Sequence, residues 1–504
     1  MSDKMNIIMI TNDHQAYYRH GWDGGVVPKC PCFDALAAEG VSFNRMYAVA
    51  PLCVPVRTTL VTGLYPHNHK NVTNNTHAPF NHELIFSALE RAGYSSYYFG
   101  KWHAGPGKAT DFGPEGFSRE DYGNPYLSPE YKQYLADRNL EMPRRRIEKV
   151  FTTPDFIIQH PDLVEGNEEY VSDKFFSGEN AVGVSLGPKE SHESFFLAEM
   201  ACQQLETIAG EREQSGGEPF FMRVDFWGPH HPHFPSQEFV DMYDPADIPV
   251  YPSFSDTLEN RPQIYRKETF EPIADPEGNL IIPNPLSWER DWQLICSRAY
   301  AHITQVDAAG GKIIDALKSL GLDENTVVIW TTDHGDALAS HGGLWDKGSY
   351  MTEEVMRVPL AIRVPGNRCP GSTAEELANT VDIPATILDL AGATMAETID
   401  GRSLVPFIDQ PDARERTALL CETYGIGYGK VHNGKMVVTD TMKYIWNEGM
   451  MDELYDLKQD PYEMRNLIDH SRYAETVAEL RSKLVRLLVE TGGEEETIAA
   501  IQAG

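Results

Sequence analysis

Short apolar runs along the chain end abruptly in charged or hydrogen-bonding residues. Asn6 to Thr11 reads NIIMIT and stops at Asn12-Asp13-His14. Residues 82–105, HELIFSALERAGYSSYYFGKWHAG, pass from a helical pattern through a glycine turn and an aromatic run to Lys101 and His103. Residues 218–235 run from EPFFMRVDFW into GPHHPHFP, and residues 308–336 run from a helical pattern through TVVIWTT into Asp333-His334. Such runs predict strands buried on both faces. Their alternation with helices predicts an α/β fold: a large, mostly parallel sheet sandwiched by helices. Ligands bind beyond the carboxyl ends of the strands in sheets of this kind. The pattern therefore places Asp13, Lys101, His103, His230, Asp333 and His334 on one rim.

Residues 32–43, CFDALAAEGVSF, predict a helix stopped by Gly40 and then a strand. After Arg57, TTLVTGLYP predicts a helix that halts near Gly63. Residues 104–195 and 250–290 are rich in proline, glycine and charge, with weak periodicity, and are expected as insertions over the rim. Beyond 404 the pattern changes. Residues 442–461, MKYIWNEGMMDELYDLKQDP, alternate and turn like an antiparallel sheet, and residues 473–490 form an amphipathic helix. The expected division is 1–404 for the large domain and 405–504 for a smaller C-terminal α+β domain.

A length of 504 residues with 41% hydrophobic residues fits a large core plus a second unit. The charge adds a constraint. With 43 basic and 75 acidic residues the net charge is −32, which repels nucleic acid and anionic membranes. Any anion site must hold its cations locally. The seven cysteines are scattered, with Cys30-Pro-Cys32 the one close pair, and this suits a reducing compartment. The N-terminal apolar run, IIMI, is too short for a signal peptide, and no stretch approaches the ~18 apolar residues of a membrane span. A cytoplasmic protein is expected.

Asp13, Asp333 and His334 each follow an apolar strand. Two carboxylates and an imidazole suit calcium, manganese or magnesium better than a thiolate-loving metal. Asp13 taken alone reads more readily as a turn or helix-cap aspartate. Arg57, Lys101, His103 and Lys347 are basic groups at strand ends of an acidic chain, a cradle for a tetrahedral oxyanion. His230 is a candidate general acid, with His231 and His233 competing for the role. Cys53, in PLCVPVRTTLVTG, has Arg57 one helical turn away, as a nucleophile would require.

PLCVPVRTTLVTG resembles the sulfatase signature, Cys-x-Pro-x-Arg followed by an apolar helix and Thr-Gly. GKWH resembles the family's Gly-Lys-x-His segment and PHHPH its Pro-His-x-Pro segment. TTDHGDALASHGGLWDKGSYMTEEVMRVPLAIRVPG resembles its second metal half-site, and VDIPATILDLAG, DGRSLVPF and ELYDLKQDPYEMRNL resemble later landmarks in order. On this likeness, which runs from about residue 6 to 468, the chain is identified as a member of the sulfatase branch of the alkaline phosphatase-like superfamily.

The resemblance implies that a maturation enzyme oxidises Cys53 to formylglycine. The hydrated aldehyde is a geminal diol: one oxygen attacks sulfur, and the other later expels sulfate. It implies a single Ca2+ or Mn2+ held by Asp13, Cys53, Asp333 and His334. Arg57 would steady the nucleophile, and Lys101 and Lys347 would hold sulfate oxygens. His103 would assist breakdown of the intermediate, and His230 would protonate the leaving alcohol. The substrate is expected to be a small sulfate ester, arylsulfatase-like in type, and a homo-oligomer is compatible with related cytoplasmic members. Three departures stand out. Val56 precedes the arginine where the family has Ser, Thr or Ala, Val54 replaces a small polar residue, and Asp13-His14 stands where many members have Asp-Asp. The Asp333-His334 pair resembles the choline-sulfatase and phosphonate-monoester-hydrolase side of the family. Two alternatives remain: a phosphonate monoester or phosphodiester hydrolase, and a non-catalytic anion-binding homologue. Lys101 and His103 favour the sulfatase, because phosphonate-hydrolysing relatives tend to carry neutral hydroxyl residues there.

Overall fold

The computed structural model describes residues 4–17, 26–151, 158–171, 180–215, 217–266, 273–274, 280–281, 286–427 and 432–503. Eight strands form the main sheet: β1 (Asn6–Asn12), β2 (Val41–Phe43), β3 (Ser95–Lys101), β4 (Glu115–Arg119), β5 (Phe220–Asp225), β6 (Thr326–Thr332), β7 (Leu360–Arg363) and β8 (Ser372–Ala374). Their spatial order is β8-β2-β7-β6-β1-β5-β3-β4. β7 pairs antiparallel with both β6 and β2, and the other neighbours are parallel.

β1 lies at the centre, and all seven of its residues are buried. Ile8 and Ile10 face a core completed by α1 (Pro31–Glu39), α3 (Glu193–Ser215) and α4 (Gln293–Ser319). Ile7 and Met9 face the opposite core, completed by α2 (Cys53–Thr62) and α5 (Asp382–Ala391). Burying each such side chain stabilises the fold by roughly 1.5–3 kcal/mol, so the unbroken run NIIMIT is what a two-sided strand requires. α4 lies close on β6: a methyl group at Gly310 would come within 2.4 Å of the Trp330 ring, and only glycine leaves that space.

The helix and the following strand expected within 32–43 are present as α1 and β2. The reading of 104–195 as insertion needs correction. β4 joins the main sheet as its outermost strand, and α3 already begins at Glu193. Residues Arg144–Val150 and Ala181–Leu186 form an antiparallel ribbon. This ribbon supports the histidine loop, since Gly183 N–H donates to His233 O (3.0 Å) and Ser185 N–H to Pro235 O (2.9 Å). Val182 and Val184 of this ribbon pack into the core that α4 completes, and Ile147 and Ala181 pack with Phe234 of the histidine loop. Much of the stretch expected as a second insertion, including 267–272, lies outside the described residues.

The smaller C-terminal domain holds an antiparallel meander of β9 (Leu419–Thr423), β10 (Gly434–Val438), β11 (Met442–Asn447) and β12 (Glu453–Asp456). α6 (Ala474–Glu490) covers it with Leu480, Leu484 and Leu488, four residues apart on one stripe. β9 ties the two parts together. Glu422 N–H donates to Val49 O at 2.8 Å, and its carboxylate receives the His67 Nδ1–H at 2.6 Å. Among the described residues, no helix is long and apolar enough to cross a membrane.

Candidate active site

β1 and β6 run in register with Asn12 opposite Thr332, so Asp13 and Asp333 leave their strands at the same level. The turns after them interlock: Asp333 Oδ1 accepts from His14 N–H at 3.0 Å and from His334 N–H at 2.8 Å. Cys53 is the first residue of α2, which Leu52 enters from an extended conformation. α2 is buried at every position, yet it contains three threonines. Their hydroxyls donate to Ala104 O, Leu64 O and Thr58 O at 2.8–2.9 Å, so no threonine hydroxyl is stranded. The helix closes on Gly63, in the left-handed region at φ 72°, as the Thr-Gly pair predicted.

Four side chains converge where these elements meet. One donor atom from each of Asp13, Cys53, Asp333 and His334 lies within 4.8 Å of the other three, and all four residues are buried. Cys53 Sγ is 3.1 Å from His334 Nε2 and 3.7 Å from Asp13 Oδ1. His334 Nδ1–H donates to Gly335 O at 2.9 Å, which fixes the tautomer and turns the Nε2 lone pair into the cluster. This donor set fits a divalent cation: two carboxylates, one imidazole oriented by the backbone, and residue 53.

Cations surround the cluster. Lys101 Nζ lies 2.5 Å from Asp13 Oδ2 and 3.6 Å from Cys53 Sγ. Arg57, one turn into α2, places Nε 2.8 Å from Asp333 Oδ2 and Nη1 2.9 Å from Asp225 Oδ2. On the far side Lys347 Nζ is 2.9 Å from His230 Nε2 and 3.2 Å from Asp346. His103 adopts φ 41° and packs edge-on against Tyr122 at 5.6 Å between ring centroids. Of the competing histidines, His233 turns away to His302, 3.3 Å between ring nitrogens. His231 stays beside His14 and His230, at ring distances of 5.7 and 4.2 Å.

A family model described as Sulfatase matches residues 5–393. The chain belongs to the sulfatase family. It hydrolyses sulfuric ester bonds. A second family model, described as N-sulphoglucosamine sulphohydrolase, C-terminal, matches residues 340–490. The sulfatase is similar to an ulvan-active sulfatase of Formosa agariphila, at 25% identity over 97% of this chain and 82% of that protein. It is similar to an arylsulfatase of Clostridium perfringens at 26% identity, over 98% of this chain and 95% of that protein. Its fold matches the solved phosphonate monoester hydrolase of Agrobacterium radiobacter with a TM-score of 0.73 and 22% identity, over 97% of this chain and 96% of that one.

Burial dominates the electrostatics of the sulfatase site. Burial, with Asp333 adding to it, pushes Asp13 up to about 6 against the pull of Lys101 and Arg57. Burial would raise Asp333 as well, but His334, Arg57 and Lys101 hold it well below the ordinary carboxylate range. Burial pushes the Cys53 thiol up to about 12, opposed by Lys101 and Lys347. It lowers His103, His230 and His14 well below the ordinary imidazole value, with neighbouring cations acting in the same direction. Burial would also lower Lys347, yet Asp346, Cys53 and Asp13 hold it above its ordinary value. The site therefore presents neutral imidazoles beside a fixed ammonium.

Reading the sequence missed two parts of this arrangement. Asp225 ends β5 as Asp13 and Asp333 follow β1 and β6, and it carries Arg57, Arg223 (two bonds of 2.8 Å) and the Tyr98 hydroxyl (2.9 Å). The signal was there, since FFMRVD is an apolar run ending in a carboxylate. Tyr122 had no such signal. It lies in a loop after the outermost strand, yet the Lys101 ammonium sits 4.0 Å from its ring centroid and the His230 ring 5.3 Å away.

Proposed function

We propose that this sulfatase works through a formylglycine made from Cys53 and one divalent cation, Ca2+ or Mn2+, held by Asp13, Cys53, Asp333 and His334. The observation that supports this most directly is the position of Cys53: the first residue of a buried helix, with its sulfur among two carboxylates, a backbone-oriented imidazole and a lysine. When bound, the cation would neutralise the carboxylates and polarise oxygen at the reacting centre.

The chain's own residues do the rest. Lys101 and Lys347 hold the sulfate oxygens from opposite sides, and Arg57 fixes the carboxylates beneath residue 53. His230 passes a proton to the leaving oxygen. His103, neutral and buried, takes a proton as sulfate is released. In this reading a maturation enzyme acts on the 53–57 segment, the substrate is a small arylsulfatase-type sulfate ester, and residues 1–404 carry the reaction while 405–504 complete the fold. The pair Lys101 and His103, an ammonium and an imidazole where phosphonate-hydrolysing relatives tend to carry neutral hydroxyl residues, supports sulfate over a phosphonate monoester or phosphodiester.

The test is protein produced with and without a maturation enzyme, followed by mass analysis of the tryptic peptide holding residue 53. A modified fraction should appear only with that enzyme, and turnover of nitrophenyl sulfate should scale with it. Cys53→Ser should lose several orders of magnitude. Full activity in Cys53→Ala would end this reading, and faster turnover of a phenyl phosphonate monoester than of the sulfate would move the assignment to the alternative.

A further inference from the structure

A second group of metal-ligating side chains lies beside the first. His14, His230, His231 and Asp346 each offer one donor atom, and these atoms lie within 4.8 Å of one another. The four come from three parts of the rim: His14 from the turn after β1, His230 and His231 from the loop after β5, and Asp346 from the loop after β6. His14 is 2% exposed, and neither of its ring nitrogens has a hydrogen-bond partner. Its Nε2 points at carboxylates, 3.3 Å from Asp346 and 3.7 Å from Asp336. His14 and Asp346 both adopt left-handed backbone conformations, φ 68° and 61°, which are uncommon outside glycine and are retained here by the surrounding structure. A buried imidazole with no hydrogen bond is costly unless a cation takes up its lone pair.

The group already has a cation. Lys347 Nζ lies 2.9 Å from His230 Nε2 and 3.2 Å from Asp346 Oδ1. We propose that His14, His230, His231 and Asp346 form a second cation site, filled in the working enzyme by the ammonium of Lys347 and able to exchange it for Zn2+ or a similar borderline ion. Three imidazoles and one carboxylate make a softer donor set than the Asp13/Asp333 cluster, and they match the ligand types and number of tetrahedral zinc. Zinc ligand atoms stand about 3.3 Å apart, so small side-chain movements close the group around an ion once Lys347 swings out. The exchange breaks the Lys347 contacts with His230 and Asp346 and forms four bonds to the ion, with no change in oxidation state. Zinc so bound occupies His230 Nε2 and inhibits turnover. That consequence rests on the role proposed for His230, whereas the binding of the ion does not.

The test is equilibrium dialysis against Zn2+ with elemental analysis, on wild type and on the Asp333→Ala background, which isolates the second group from the first. Wild type should bind one more zinc equivalent than His231→Ala. The Asp333→Ala protein should keep that equivalent, and Asp333→Ala/Asp346→Asn, which preserves side-chain shape, should lose it. Lys347→Met removes the competing charge and should tighten the same equivalent at least about tenfold. Circular dichroism verifies that each variant is folded. Equal zinc content in wild type and His231→Ala would overturn the proposal. So would loss of the first-site ion, rather than the second zinc, in His14→Ala. Neither result depends on whether Cys53 is modified, so failure here and failure of the formylglycine reading are distinguishable.

Discussion

Lys347 donates a 2.9 Å hydrogen bond to His230 Nε2, while the Nδ1–H of His230 is committed to the His231 carbonyl 2.7 Å away. His230 is thus a neutral acceptor with its mobile proton on a neighbour. A leaving alcohol would draw its proton from the pair, with Lys347 as the source and His230 as the carrier.

General acid catalysis contributes about 10²- to 10⁴-fold, and only where the leaving group needs a proton. His230→Ala should cost little with nitrophenyl sulfate and lie in that range with an alkyl or unactivated aryl sulfate. Lys347→Ala should steepen the dependence on leaving-group pKa in the same sense, with an added loss of sulfate binding. His233→Ala, whose ring faces His302, should keep the wild-type slope. The measurement is rate against leaving-group pKa for a series of sulfate esters. Equal losses across the series for His230→Ala would reduce His230 to a binding or structural role.

Asp333 receives two backbone N–H groups and Arg57 while facing Asp13, Cys53 and His334. Asp333→Ala should release the divalent ion and abolish turnover of every sulfate ester, activated or not. Elemental analysis after desalting decides the matter, and an unchanged calcium or manganese content would remove Asp333 from the site.

Asp225 is a positioning residue that holds Arg57 and Arg223 together beneath the cluster. Asp225→Asn leaves two buried guanidinium groups undercompensated, a change expected to cost about 3–5 kcal/mol of stability. Because Arg57 then keeps Asp333 but loses its ionised partner at Nη1, kcat should fall more than KM rises at temperatures where the variant remains folded. Denaturant melts combined with steady-state kinetics separate the two effects. A destabilised variant with wild-type kcat would confine Asp225 to the fold.

His67 donates through Nδ1 to Glu422 and through Nε2 to Thr491 O at 2.9 Å, which only the imidazolium can do. Burial would lower His67, but Glu422 holds it above the ordinary 6.5. Burial would raise Glu422, but Lys435 and His67 hold it below the ordinary 4.5. A raised histidine contributes stability that is fully present below its unfolded value and fades as pH rises through its folded value. A depressed carboxylate contributes above its unfolded value and fades as pH falls. The pair therefore stabilises the contact between the two domains most between about pH 4.5 and 6.5. Thermal melts of wild type and His67→Gln should differ more at pH 5.5 than at pH 9. An equal gap at both pH values would mean that His67 acts by packing alone.

Which residues end each strand is legible in the chain's own apolar pattern. Apolar runs such as NIIMIT and TVVIWTT require burial on both faces, and that forces a helix-covered sheet whose polar residues emerge at one rim. From this alone Asp13, Lys101, Asp333 and His334 could be placed on one rim, and the resemblance of the Cys-x-Pro-x-Arg segment to the sulfatase signature implied Cys53 and Arg57 beside them. Tertiary structure decided what no local pattern encodes. Tyr122 reaches Lys101 and His230 from an edge loop, and β4 joins the sheet although its sequence, EGFSR, lacks an apolar run. His14 faces Asp346, more than three hundred residues away, rather than the nearer Asp13 cluster. Apolar periodicity reports burial, which each residue expresses locally. Pairing between charged side chains depends on how loops meet in space, and only the folded chain specifies that.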